Sequence, residues 1–364
     1  MHSNQGIKLF WICALLISIG VVMVGSSSIA IATARAGDPF FYLTRQIAFL
    51  SIGLVIASLA YHVPIATWSR FAKPILGISF LVLILLLVPG IGHKVNGSLR
   101  WIKLGPVNIQ ASEVSKLALI IYFAYFCAQY ENELRTSFKR LVMGLVPLGA
   151  ACGLILLQPD FGSVVVLSTC VMSLFFMAGI SLWYVIGLIA LAGGSFAFLA
   201  ISAPYRLERI TTFLNPWADQ FDSGYQLTQA LIAFGRGQWV GLGLGSGVQK
   251  LFYLPEAHTD FIFAVIAEET GFVGAAFVLL LYVLFGVFGC KLAWQASSLR
   301  KMFHAYLAFA LTIWIVLQAL IAMAVNIGLL PTKGLTLPFI SYGGSSLVVF
   351  LAAAAILLRI NKEL

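Results

Sequence analysis

The sequence predicts an all-α fold, a polytopic integral membrane protein of about ten transmembrane helices, and three observations predict it. Of its 364 residues, 61% are hydrophobic and 10% charged, against roughly 45–50% apolar and about 25% charged in soluble domains. Mean hydropathy is +0.99. The apolar residues gather in blocks of about twenty, the length that crosses a hydrocarbon core of about 30 Å. No alternating strand pattern accompanies them, which excludes a barrel. The expectation is a single membrane domain, residues 1–364, with the bilayer as its solvent.

The blocks follow in order, each bounded by charges, prolines or glycines. They lie near Leu9 to Ala32, Ile47 to Tyr61, Ile75 to Val88, Val114 to Ala128, Leu141 to Leu157, Ser163 to Ala178, Leu182 to Ile201, Phe261 to Gly289, Phe303 to Ile327 and Leu347 to Leu358. The eighth is long enough to tilt or to begin outside the bilayer, and several are short, so nine or eleven crossings also fit. The first block follows Met1 and Lys8 and ends at Ala32-Thr33-Ala34, which resembles a cleavage site. A secretory apolar region runs only about 7–15 residues, so an uncleaved first helix is expected. Cys13, Cys127, Cys152, Cys170 and Cys290 are odd in number and lack CxxC spacing; they read as inert packing residues without a disulfide framework or metal site.

With ten crossings both ends share a side. The loops there hold Lys8, Arg70, Lys73, Arg135, Lys139, Arg140, Lys291, Arg300, Lys301, Arg359 and Lys362, so that side is expected to be cytoplasmic. The opposite face carries Arg35, Arg45, Lys94, Arg100, Lys103, Arg206, Arg209, Arg236, Lys250 and Lys333, with Lys116 inside the fourth block. The charge rule alone barely orients the chain. Outward cations either meet headgroups and water or recognise an anion such as a lipid phosphate or pyrophosphate, which Arg binds bidentately and Lys as a point charge. The net charge of +9 is dispersed over both faces, which argues against a nucleic-acid partner.

Ser202 to Ala257 forms a large outward loop between the seventh and eighth helices. Loops longer than about 12–15 residues are usually functional or disordered. This one is rich in aromatics and glycine, so it is expected to be ordered, with short interfacial helices. Its Gly241 to Gly247 run (GLGLGSG) lacks a preceding strand and a following Lys-Ser/Thr pair, which leaves a flexible elbow as the better reading than a phosphate cradle.

Ionisable groups at membrane depth are functional candidates by default. Glu113 and Lys116 stand three apart on one helix face, which equally makes a local ion pair. Asp160 follows a proline at a hairpin, where capping the sixth helix is the plainer role. Asp260 would either cap the eighth block or serve as a general base or cation-binding group at its outer mouth. Glu268 lies deeper on roughly the same face, and His258 is a polar neighbour with no Ser or Cys nucleophile arranged around it.

These residues carry a resemblance. Asn96 to Ile102 (NGSLRWI), Gln110 to Lys116 (QASEVSK), Gln158 to Gly162 (QPDFG), Gly224 to Gln226 (GYQ), Pro255 to Ala264 (PEAHTDFIFA) and Pro338 to Ser346 (PFISYGGSS) are similar, in order along nearly the whole chain, to the motifs of the SEDS (shape, elongation, division and sporulation) proteins. Ala233 to Gly237 (AFGRG) and Pro331 to Pro338 (PTKGLTLP) resemble the division-type FtsW branch more than the elongation-type RodA branch.

The resemblance implies a peptidoglycan glycosyltransferase that polymerises lipid II, a disaccharide-pentapeptide on undecaprenyl pyrophosphate, at the outer face of the bacterial cytoplasmic (inner) membrane. The family's essential aspartate lies in the His-Thr-Asp motif, which implies that Asp260 is catalytic. It would deprotonate the acceptor 4-hydroxyl, which attacks the anomeric carbon of the lipid-linked donor and expels the lipid pyrophosphate. Lys116, Arg100 and Arg206 or Arg209 would hold that pyrophosphate, directly or through a divalent cation (Mg2+ or Mn2+) bridged by carboxylates. Trp101 would line the groove, with Glu113, Asp160, His258 and Glu268 as supporting polar groups. The implied partners are a single-pass class B penicillin-binding transpeptidase, other division proteins and membrane lipids. Two other classes stay open: a lipid-linked-sugar flippase, which inverted repeats or central broken helices would favour, and a scaffold that recruits a partner enzyme.

Overall fold

The computed structural model describes residues 4–88, 92–95, 98–104, 107–184, 186, 187, 190, 194, 213, 215–222, 224–332 and 334–364. Among them, the helices are α1 (Gln5–Ala36), α2 (Phe41–His62), α3 (Ile65–Leu85), α4 (Ala111–Thr136), α5 (Phe138–Leu157), α6 (Phe161–Met177), α7 (Tyr225–Gly237), α8 (Ile262–Ser298), α9 (Met302–Asn326) and α10 (Gly344–Glu363). All but α6 and α7 are long and apolar enough to cross a membrane, and α6 is a shorter apolar helix. Nine of the ten expected blocks thus coincide with helices. The block at Leu182 to Ile201 lies largely outside the described residues.

The helices outrun their apolar blocks because backbone hydrogen bonding continues until a breaker stops it, not until a charge appears. Gly37 ends α1 in the left-handed region and donates to Thr33 O. Val63 is extended before Pro64, which separates α2 from α3, because a residue preceding proline is pushed out of the helical region. The sequence reading overlooked a three-stranded antiparallel sheet before α4: β1 (Gly92–Val95), β2 (Ser98–Leu104) and β3 (Val107–Gln110), in that order. It is anchored to the start of α10, since Ser345 Oγ donates to Asn108 O (2.9 Å) and accepts from Gln110 N (3.0 Å).

Helices α4, α9 and α10 form the centre, with most of each span buried, whereas α2 and α3 are mostly exposed. Exposed Ile47, Leu54, Val55, Leu59, Ile78 and Leu81 are what lipid-facing positions require. At the centre, Trp314, Phe123, Phe175, Phe339 and Phe350 are fully buried.

Helix α8 is broken near its start. Gly271 adopts φ 71, ψ −171, a region essentially confined to glycine. The backbone groups freed there are taken by the segment after α7: Phe272 N donates to Gln238 O, Val273 N to Trp239 O, Leu242 N to Glu268 O and Gly243 N to Glu269 O. Such re-pairing is what permits irregular backbone at membrane depth. Residues 272–298 still extend about 40 Å at 1.5 Å per residue, long enough to cross a bilayer without the turn that precedes the break.

Candidate active site

The N-terminal end of α8 and the C-terminal end of α9 converge on Asp260. Residues 254–261 fold into tight turns in which Thr259 N and Phe261 N both donate to Glu256 O, with Glu256 itself at φ 54. Three consecutive carbonyls of this segment are captured from outside it. Tyr342 N donates to His258 O (3.0 Å), Ser341 Oγ to Thr259 O (2.7 Å) and Asn326 Nδ2 to Asp260 O (2.8 Å). The Asp260 side chain is half-buried. A Cβ at Gly334 would lie 3.1 Å from its Oδ2, so the absence of a side chain there leaves the carboxylate its room. The positive end of the α8 macrodipole lies beside Asp260 and favours an anion.

A second polar cluster lies at the start of α4. Lys116 Nζ donates to Glu113 Oε1 and to Gln318 Oε1, both at 2.8 Å, and Lys116 is fully buried. Gln318 Oε1 also accepts from Trp314 Nε1, while its Nε2 donates to Thr336 O (3.2 Å). Thr336 Oγ1 donates in turn to Ser346 Oγ (3.0 Å). The loop 334–346 therefore joins the Lys116 cluster to the Asp260 segment.

The remaining expected residues fall into place around this frame. Asp160 is the N-cap of α6: it accepts from Ser163 N and Ser163 Oγ, and also from Ser112 Oγ on α4 (2.9 Å). Asp260 is not at the cap position of α8, which falls on Phe261. His258 is buried beside Tyr42, with ring centroids 4.6 Å apart, and Tyr342, at 5.6 Å. Burial holds its imidazole below its usual pKa; the nearby Glu256 opposes this and Arg35 adds to it. Trp101 is half-buried in β2, opposite Gln110 of β3. Arg100 also lies in β2, with its side chain outside the described ones. Arg206 and Arg209 lie outside the described residues.

Glu268 reaches into the loop after α7. It accepts from Val248 N (3.0 Å) and Gln249 N (3.1 Å) and pairs with Arg236 (3.2 Å). Glu269 beside it accepts from Ser26 Oγ, Lys250 Nζ and Gly245 N. The glycine run is therefore pinned rather than a flexible elbow: the Glu269 carboxylate and the backbone carbonyls of Glu268 and Glu269 take up N–H groups within it, and the Glu268 carboxylate takes those of Val248 and Gln249 just after it.

Among the described residues no group of three or more His, Cys, Asp or Glu side chains could hold a metal ion.

Sequence reasoning missed Asn326 and Gln318, whose only advance signal was an uncharged polar side chain inside an apolar helix. Thr336, Ser341 and Ser345 lay within the PTKGLTLP and PFISYGGSS motifs, but their hydrogen-bond partners were not foreseen.

A family model for the FtsW/RodA/SpoVE cell cycle proteins matches residues 7–364. The probable peptidoglycan glycosyltransferase FtsW of Thioalkalivibrio sulfidiphilus is 49% identical over 350 residues, covering 96% of this chain and 87% of that protein. The protein of the same name from Coxiella burnetii is 48% identical over 353 residues, covering 97% and 95%. Among solved structures, a chain of a peptidoglycan synthase complex that coordinates polymerization and crosslinking superposes with a TM-score of 0.80 at 29% identity, covering 98% of this chain and 97% of that one. The rod shape determining protein RodA of Thermus thermophilus superposes with a TM-score of 0.71 at 28% identity, covering 98% and 96%.

Proposed function

The chain belongs to the FtsW/RodA/SpoVE family of cell cycle proteins, and from that premise we infer that it polymerises lipid II into glycan strands for the septal wall of a dividing bacterium. It is a multi-pass membrane protein of the inner membrane and a peptidoglycan glycosyltransferase. A substrate tethered in the bilayer by its lipid accounts for an enzyme whose reactive groups sit at the rim of a helical bundle.

The observation that carries the mechanism is the capture of the His258, Thr259 and Asp260 carbonyls by three separate donors. It leaves a half-buried carboxylate at the outer end of two adjoining helices. In the reaction, Asp260 accepts the proton of the acceptor sugar 4-hydroxyl as the oxygen attacks the anomeric carbon of the lipid-linked donor. One glycosidic bond forms, the bond from the anomeric carbon to the pyrophosphate oxygen breaks, and the lipid pyrophosphate leaves with the bonding electrons. A positioned general base contributes typically about 10²–10⁴-fold. Arg100, Arg206 and Arg209 belong to the outward segments and suit bidentate contact with the leaving pyrophosphate. Lys116 would reach it only after the 334–346 loop shifts, since Glu113 and Gln318 now hold its ammonium.

The solved neighbour belongs to a complex that coordinates polymerization with crosslinking, which supports a crosslinking enzyme as partner; the partner in this reading is a class B penicillin-binding transpeptidase, and both termini of this chain are cytoplasmic with Asp260 outside. The test is strand formation from purified lipid II by this chain with its cognate transpeptidase. Asp260→Ala at matched folding should remove at least about 99% of the activity; an undiminished product would take Asp260 out of catalysis and restore the flippase and scaffold readings.

A further inference from the structure

Asp260 is held by a residue that no motif singled out. Asn326 is the last residue of α9, is 1% exposed, and spends its whole amide on the neighbouring helix end and its own. Its Nδ2 donates to Asp260 O (2.8 Å) and to Ala322 O (2.9 Å), and its Oδ1 accepts from Ala264 N (3.1 Å). Only this orientation satisfies all three contacts, since a flipped amide would set N–H against N–H and oxygen against two carbonyls. Helix α8 has Phe261 at its cap position and no side-chain cap of its own, so the first-turn donor that a local Ser or Asp normally serves is served from α9.

We propose that Asn326 is the positioning residue of the catalytic carboxylate: its donated hydrogen bond fixes the Asp260 backbone, which directs the side chain into the space left by Gly334. This rests on the reading of Asp260 as the general base. Two functions meet in one amide and use opposite ends of it. The Oδ1 end caps α8, a structural role, and the Nδ2 end holds Asp260. A carboxylate at the same place keeps the first and abolishes the second.

Asn326→Asp therefore separates them. Aspartate accepts from Ala264 N as well as asparagine does but has nothing to donate to Asp260 O. The variant is made in the full chain, purified with its transpeptidase, and assayed on purified lipid II beside wild type, Asn326→Ala and Asp260→Ala. Misplacement of a reacting group by about 1 Å can cost about a hundredfold. The expected result, read at a temperature at which every variant is folded, is a fall of that order in the maximal rate for both Asn326 variants, with the lipid II concentration at half-maximal rate unchanged within about twofold; the Asn326→Asp oxygen that now faces the Asp260 and Ala322 carbonyls also lowers its Tm.

Wild-type turnover in Asn326→Asp overturns the proposal and leaves Asn326 as a helix cap. A maximal rate that recovers to the wild-type value once the assay temperature is set well below the Tm of each variant likewise assigns it to stability alone. Should Asn326→Asp not fold, Gly334→Ala reads the same geometry from the other side: its added Cβ crowds Oδ2, and a rate equal to wild type would overturn the placement of the carboxylate. Activity retained in Asp260→Ala would instead refute the general-base reading itself, whatever the Asn326 variants do.

Discussion

At the scale of single residues, Lys116 and Glu113 form the most deeply buried ion pair among the described residues. Both are buried, 2.8 Å apart, with side-chain exposures of 0% and 4%. Desolvating two such charges is repaid only by good geometry and further hydrogen bonds, and removing one partner strands the other at a cost of about 3–5 kcal/mol. Gln318 supplies the further bond to the ammonium. Lys116→Met should accordingly lower the Tm of the purified protein sharply, and adding Glu113→Gln should recover most of the loss, because two neutral groups carry no stranded charge. Activity then decides between the two meanings the spacing left open. A stable double variant that stays inactive shows that the ammonium acts on the substrate; one that regains strand synthesis shows a pair that only holds α4 to α9. The i,i+3 spacing was legible in the sequence. Gln318 was not, because it is an uncharged amide separated from Lys116 by 202 positions, and no spacing rule links them.

The membrane-spanning helices were legible at the scale of elements because the hydrocarbon slab imposes one length on every apolar block. The irregular elements were not. Strands β1 and β3 are four residues each, too short for alternation to register, and they read as a cationic loop. The break in α8 was equally hidden: Gly271 sits in an otherwise uniform helical pattern, and its partners lie in a segment beyond α7. A Cβ on Gly271 would fall 2.4 Å from Gly241 N and 2.5 Å from Trp239 O, besides occupying a backbone region that costs other residues about 1–3 kcal/mol. Gly271→Ala should therefore lower Tm and expose the 239–247 segment to limited proteolysis. Gly235→Ala within α7 meets nothing within 4 Å and should leave both unchanged. Equal protease resistance in the two variants would mean that the segment is held by the Glu268 and Glu269 carboxylates alone. Since residues 272–298 are long enough to cross a bilayer without the turn before the break, the break does not make α8 the discontinuous central helix of a transporter.

At the scale of the whole molecule, the charge count left the orientation almost undecided, and the packing of the helix ends shows which of them share a face. Gly6 N at the start of α1 donates to Asn361 Oδ1 near the end of α10 (3.1 Å). The Glu363 carboxylate accepts from Ile65 N at the start of α3 (3.1 Å) and bonds His304 near the start of α9 (3.0 Å). Four helix ends are thus tied together on one face, while α8 and α9 carry Asp260 at their opposite ends. Lipid II presents its sugars to the outer leaflet side, so the tied face must be cytoplasmic if Asp260 is to meet them. Native cysteines are buried or half-buried, and in a background without them single exposed cysteines report each face. Asp222→Cys, in the outward loop, should react with a membrane-impermeant maleimide on intact spheroplasts. Ser298→Cys, at the end of α8, should react only after permeabilisation. The reverse pattern would put Asp260 on the cytoplasmic side, where the polymerase mechanism could not operate on extracytoplasmic lipid II.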